Sequence, residues 1–325
     1  MGQSSIPVEP LKVLVTGANG FIGRHLCEHL VLAGHPVRAA VREVTFKSPG
    51  FDVIEIGSVG PQTDWQKAVR GMDAVVHLVS PSLRETAESS IEYRQVNVLA
   101  SENLARQAAR VGVKRLIFLS TIKVNGEITE ERPFSIDVPP EPVSAYGQSK
   151  WEAECALRRV ESETGLEVVV IRPPLVYGFG VKGNFLQLLR WVDSGIPKPF
   201  AWLSSFRSLV SLYNLCDLIQ LCVNHPAARG GTFLVSDGDD LSLRMLIHQL
   251  ARIMEKPSRL WPFPEMLFRL LGQATGKELE IQKLCDSLEV DITKTTSMLG
   301  WKPPLSVQSG LEKTVHWYMD SRGKN

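Results

Sequence analysis

Leu11-Lys-Val-Leu-Val-Thr-Gly-Ala-Asn-Gly-Phe-Ile-Gly23 decides the fold. Its first part, Leu11 to Val15, is an apolar run of the kind that makes a buried strand, and a helical pattern leaves its far end and stops at Gly34. Strand, glycine turn and helix in that order make a cradle for a dinucleotide. Glycines at 17, 20 and 23 permit a tight turn, admit a pyrophosphate close to the backbone, and let the helix pack against the strand with its N-terminus facing the anion. Gly17, Gly20, Phe21, Ile22 and Gly23 are therefore the candidate cofactor contacts. Apolar runs at 37–41, 51–56, 73–79, 115–121, 167–171 and 232–235 follow, with helical stretches between them. That alternation predicts an α/β, Rossmann-type doubly wound parallel sheet.

A second stretch, Ser144-Ala-Tyr-Gly-Gln-Ser-Lys150, carries the chemistry. Ser144 is a candidate N-cap for a helix running to about Thr164, and on a helix Tyr146 and Lys150 share one face. A phenol titrates near pH ~10, and a lysine cation beside it would favour the phenolate, giving an acid/base group usable at neutral pH.

The spacing G-x-x-G-x-x-G together with Y-x-x-x-K resembles the short-chain dehydrogenase/reductase superfamily, in its extended, NAD-dependent epimerase/dehydratase branch of UDP-glucose 4-epimerase type. Thr121 lies 25 residues before Tyr146, the separation of the catalytic hydroxyl and tyrosine in the sugar-nucleotide members. The resemblance implies catalytic roles for Thr121, Tyr146 and Lys150, with Ser120 in support, Asn97 near the lysine, and Pro173 of Arg172-Pro-Pro-Leu-Val-Tyr-Gly178 against the nicotinamide. The usual V-Y-G after the threonine reads Val124-Asn-Gly126, a changed pocket wall. Where the dehydratases have T-D-E this chain has Thr121-Ile-Lys123, which removes an obvious route to elimination and leaves Lys123 to face a substrate oxygen. His77 falls in the loop strand beneath the diphosphate and reads as packing rather than as a base.

Cofactor choice is set at the end of the second strand, where an acid would bond the ribose 2′-OH. That place holds Val41, followed by Arg42, which suits a 2′-phosphate, while Glu43 could still serve the hydroxyl. NADP(H) is favoured and NAD stays open. Ser58 stands where the family's third strand commonly ends in an acid that meets adenine.

The resemblance places the dinucleotide-binding domain at 1–178, with 206–236 returning to it, and a substrate lobe at 179–205 and 237–325. Asn184 opens a helix whose N–H groups could meet phosphate, and Arg207 matches the arginine that grips the diphosphate, although Leu212 and Asn214 replace the family's Val and Asp. Lys283, ahead of Val290-Asp-Ile-Thr-Lys294 and Leu299-Gly-Trp301, is a second candidate cation. The Met-Leu-Phe-Arg-Leu-Leu run at 266–271 reads as one face of an amphipathic core helix, in preference to a membrane-facing one.

Composition bounds the rest. A formal charge of +1 over 325 residues offers no field for nucleic acid, five cysteines without a C-x-x-C pair indicate neither a disulfide framework nor a zinc site, and no run is apolar enough for a membrane span. A cytoplasmic enzyme on a UDP-sugar is expected, with no metal, and the resemblance allows a homodimer. The favoured reaction is NAD(P)H-dependent reduction of a UDP-4-keto-6-deoxy-hexosamine. Epimerisation at C4 of a UDP-hexose or of a lipid-linked sugar diphosphate is the alternative, and an NADP-sensing regulator without turnover is the reading of a different class.

Overall fold

The computed structural model describes residues 10–44, 50–81, 87–276 and 278–322, with side chains left aside at 87, 88, 278–280 and 283. Six strands, β1 (Val13–Thr16), β2 (Val37–Val41), β3 (Asp52–Glu55), β4 (Ala74–His77), β5 (Arg115–Leu119) and β6 (Glu167–Arg172), join Thr232–Leu234 in one sheet. The order is 232–234, β6, β5, β4, β1, β2, β3, and every pairing is parallel. Strand order reverses between β1 and β4, which opens a crevice at the carboxyl ends of the strands, where α/β sheets bind ligands.

Helices α1 (Phe21–Leu32), α2 (Gln66–Val69), α3 (Ala87–Tyr93), α4 (Ala100–Arg110) and α5 (Ala145–Thr164) connect the first six strands, and Leu212–Asn224 precedes the last. Side chains alternate across the sheet, so each strand feeds two cores. Val13 and Val15 pack with Leu26 and Leu30 of α1 and with Leu215 and Ile219, whereas Leu14, Val75 and Phe118 pack with Leu104 of α4 and Leu157 of α5. Arg94–Leu99, between α3 and α4, takes the wider π turn. That turn carries Asn97, and π-bulges of this kind concentrate at functional sites.

The second lobe has its own core of Tyr177, Phe185, Leu189, Phe200, Leu250 and Leu311. Two short pairings stand apart from the seven-stranded sheet: Leu175–Tyr177 runs parallel to Leu209–Ser211, and Phe206–Arg207 antiparallel to Leu241–Ser242. The helix Glu265–Thr275 corrects the core-helix expectation. Only Phe268 and Gly272 are buried, while Met266, Leu267, Leu270 and Leu271 face outward. One aromatic patch, Phe200 and Phe263 around Phe268, covers the narrow inward side and leaves the apolar stripe uncovered. Among the described residues no helix is long and apolar enough to cross a membrane.

Candidate active site

The cradle after β1 is as tight as its glycines imply. Gly17 has φ +69°, and a Cβ on Gly23 would lie 2.2 Å from the Gly17 carbonyl oxygen and 2.7 Å from the Ala18 Cα. Such distances exclude any side chain, so α1 starts directly on the turn. Gly20 caps α1 without a side-chain hydrogen bond, and the first turn holds no acid. The first N–H groups of α1 and its positive dipole end are thus available to an anion, and the residues fit a dinucleotide pyrophosphate. Phe21 and Ile22 occupy that turn, partly buried against the core.

Ser144 caps α5 by accepting the Gly147 N–H at 3.3 Å. A Cβ on Gly147 would lie 2.6 Å from the Lys123 carbonyl oxygen, so a bare glycine lets the start of α5 press onto the 122–124 turn that follows Thr121. Tyr146 and Thr121 are brought to one end of the sheet by this approach. Thr121 is buried and its Oγ1 accepts from the Lys123 N–H at 3.3 Å, while the Ile122 N–H donates to the buried Pro173 carbonyl at 2.9 Å.

Lys150 does not depress the phenol in this arrangement. Its ammonium donates to the Leu119 carbonyl at 3.0 Å and sits 4.6 Å from the centre of the Phe118 ring. Burial lowers its pKa to about 7, with the Glu154 carboxylate acting the other way. Burial likewise raises the Tyr146 phenol to about 12; the Ser80 hydroxyl offsets this in part and Tyr93, edge-on at 5.6 Å, adds to it. The helical spacing predicted a cation beside the phenol, but the lysine turns down onto the strand floor, and desolvation then dominates both groups.

Behind these residues lies a buried ion pair. Arg172 spans Glu154 with bonds of 3.0 and 2.5 Å and donates to Asn125 Oδ1 at 3.0 Å, and Ser120 donates to Glu154. Asn125, where the family has tyrosine, therefore completes an internal network beneath the pocket wall. Asn97 donates to the Ser149 hydroxyl at 3.0 Å, and Ser149 donates to the Tyr146 carbonyl at 2.8 Å. The Asn97 Oδ1 is buried without a partner. The π turn thus braces the first turn of α5.

On the substrate side, Lys123 pairs with Glu127 at 2.9 Å, so its ammonium is engaged rather than presented to a substrate oxygen. Glu127 also accepts from Ser144 at 2.7 Å. Arg207 donates to the Asp286 carbonyl at 2.8 Å; burial lowers its pKa, and the charges of Asp286 and Glu127 oppose this. The segment 287–290 is laced between 206–208 and 129–134, which brings Arg207 to the Thr121 end of the sheet. Asn214 is buried and bonds Asp237 and both backbone groups of Leu305, a structural use of the position where the family has aspartate.

The remaining candidates lie further out. Arg42 is exposed at the end of β2, Ser58 is exposed with its carbonyl bonded by Thr63, and Asn184 is exposed in the first turn of Gly183–Asp193. The Lys283 side chain lies outside the described residues. His77 is held between Thr16 at 2.7 Å and Ser101 at 2.9 Å, and burial, helped by the Lys150 charge, lowers its pKa to about 3. It packs and does not act as a base. Sequence reasoning missed Tyr93, Glu127, Ser149 and Glu154. Only Glu154, four residues after Lys150 on the same helix face, had a local signal.

The chain is similar to known proteins in sequence and in fold. Residues 13–230 match the model of the NAD dependent epimerase/dehydratase family. The chain is 40% identical to a UDP-glucose 4-epimerase of Vibrio cholerae over 321 residues, 97% of this chain and 98% of that one. It is 28% identical to an N-acetyl-alpha-D-glucosaminyl-diphospho-ditrans,octacis-undecaprenol 4-epimerase of Escherichia coli O157:H7, covering 94% of each. The crystal structure of a Bacillus cereus UDP-glucuronic acid 4-epimerase in complex with NAD shares the fold, with a TM-score of 0.79 at 20% identity over 97% of this chain and 99% of that one.

Proposed function

The chain belongs to the NAD dependent epimerase/dehydratase family, and from its site we propose that it inverts C4 of a hexose carried on a diphosphate. The carbon is oxidised to a ketone and then reduced from the opposite face, so the net reaction is redox-neutral. The observation that carries this reading is the placement of Thr121, Tyr146 and Lys150 at one end of the sheet, beside a cradle with no room for a side chain at Gly23. The identity of 40% to an epimerase supports it.

A bound nicotinamide dinucleotide supplies the acceptor and donor of hydride. Gly17, Gly20, Gly23 and the α1 N-terminus would hold its diphosphate, and Asn97, Pro173 and Lys150 would flank its nicotinamide end. Thr121 orients the C4 oxygen by hydrogen bond. Tyr146 takes the proton from that oxygen as the ketone forms and returns it as the alcohol reforms. Lys150, released from the Leu119 carbonyl, is the cation that brings the phenol down from about 12 for the first of these steps. Arg207 and Lys283 neutralise the diphosphate, and Asn184 adds a contact at a helix N-terminus. The carrier is a uridine nucleotide or a lipid, the work is cytoplasmic, and the sheet holds the cofactor while the second lobe holds the sugar.

A second reading, NADPH-dependent reduction of a UDP-4-keto-hexose, is favoured by the exposed Arg42 after Val41 and by a phenol held protonated. One experiment separates the two. Purified protein given UDP-glucose or UDP-N-acetylglucosamine without added cofactor should form the C4 epimer and release NAD on denaturation. Failure to epimerise, with stoichiometric loss of NADPH absorbance on a 4-keto sugar, overturns epimerisation for reduction.

A further inference from the structure

The second lobe exposes an apolar surface that the active site does not use. On the helix Glu265–Thr275, Met266 (69%), Leu270 (53%) and Leu271 (52%) are open to solvent, with Leu267 beside them. Trp261, 45% exposed, leads into that helix through Phe263, which packs on Phe268. The Trp261 carbonyl accepts the Ala201 N–H at 3.3 Å, and the next residue, Trp202, is 60% exposed. Two tryptophans and a leucine stripe therefore belong to one surface. Monomers rarely leave such patches open without a use for them.

A groove of about 710 Å³ continues the surface, lined by Trp202, Phe206, Met245, Arg244 and His248. Phe206 adjoins Arg207 on the short strand that supplies the proposed diphosphate cation, so the groove begins one residue from the sugar site. The rim is basic. Residues 242–272 hold Arg244, Arg252, Lys256, Arg259 and Arg269 against only Glu255 and Glu265, in a chain whose formal charge is +1. Arg269 is engaged with Glu265 and Asp286, while Arg244, Arg252, Lys256 and Arg259 are exposed.

We propose that this face docks on an anionic lipid bilayer, with the Leu270/Leu271 stripe and the two tryptophans in the headgroup boundary and the arginine rim on acidic headgroups. Amphipathic tryptophan suits that boundary, apolar stripes enter it shallowly, and basic residues near it gain from its negative potential. Such docking selects between the two carriers left open above: the hexose diphosphate is borne on a lipid in the same bilayer. That choice rests on the proposed C4 chemistry, whereas the docking itself does not.

The test is co-sedimentation of the full chain with phosphatidylcholine vesicles and with vesicles that also contain phosphatidylglycerol. The protein should pellet with the anionic vesicles, and binding should fall about tenfold or more in L270E/L271E and in R244E/R259E. All four positions are exposed, so melting temperatures should stay at the wild-type value. Wild-type protein left in the supernatant with anionic vesicles overturns the proposal, as does unchanged binding by L270E/L271E. A shift of L270E/L271E from dimer to monomer by light scattering, without any vesicle binding by the wild type, would assign the face to a second copy and equally overturn it. Vesicle binding by a protein that turns over no sugar would keep the docking and remove the C4 reading.

Discussion

Lys150 should make the stability of this protein depend on pH in a narrow window. The side chain is 1% exposed, and burial moves its pKa from 10.5 to about 7. At about 1.4 kcal/mol per pH unit, holding it charged in the fold costs roughly 5 kcal/mol. Between about 7 and 10.5 the unfolded chain keeps the proton and the folded chain sheds it. The unfolded state then binds more protons, so stability rises with pH across that range. Above pH 9 the trend is opposed, because burial holds the Cys27 and Cys222 thiols at about 12, against 9.0 when exposed, and only the unfolded chain ionises them. His25 and His29, lowered from 6.5 by burial, act below the window. Lys150→Met keeps an unbranched chain against Phe118, removes the titration, and leaves the thiols, His25 and His29 as they were. The difference in unfolding free energy between wild type and Lys150→Met, by urea denaturation at pH 7, 8 and 9, should move in favour of wild type by roughly 2 kcal/mol. A difference that stays constant over those pH values would refute the desolvated lysine.

Four further outcomes are expected. Tyr146→Phe removes only the proton carrier, so turnover should fall about 10²-fold or more with melting temperature and dinucleotide affinity retained; turnover within a few-fold of wild type would remove Tyr146 from the relay. Gly23→Ala puts a Cβ 2.2 Å from the Gly17 oxygen, and overpacking of this kind should cost about 1–3 kcal/mol in stability and abolish NAD binding by calorimetry. Glu154→Gln leaves the buried Arg172 guanidinium without its charge partner, and chemical denaturation should show a loss of about 3–5 kcal/mol; a change below ~1 kcal/mol would mean the pair contributes little. Arg207→Ala should weaken UDP binding by about 2 kcal/mol in calorimetry with NAD binding unchanged, and equal UDP affinity would move the diphosphate site elsewhere.

Much of this molecule is written in local patterns. The run 11–23 specifies strand, turn and helix because three glycines are needed where backbone meets backbone, and the alternating apolar runs specify a parallel sheet because both of its faces are buried. The Ser144 cap and the shared face of Tyr146 and Lys150 follow from helical geometry alone. Where a side chain's charge ends up does not. Lys150 turned to the Leu119 carbonyl, and Asn125 accepted from Arg172, each through a partner on another element. Periodicity marks an apolar face without saying what covers it, and so the 266–271 run read as core although the structure turns it outward. The phenol and ammonium pKa shifts belong to the same class. Spacing along a helix sets which groups can meet, but the dielectric around them is made by loops and helices that arrive from 50 to 70 residues away in the chain, such as Ser80 and Tyr93 beside Tyr146.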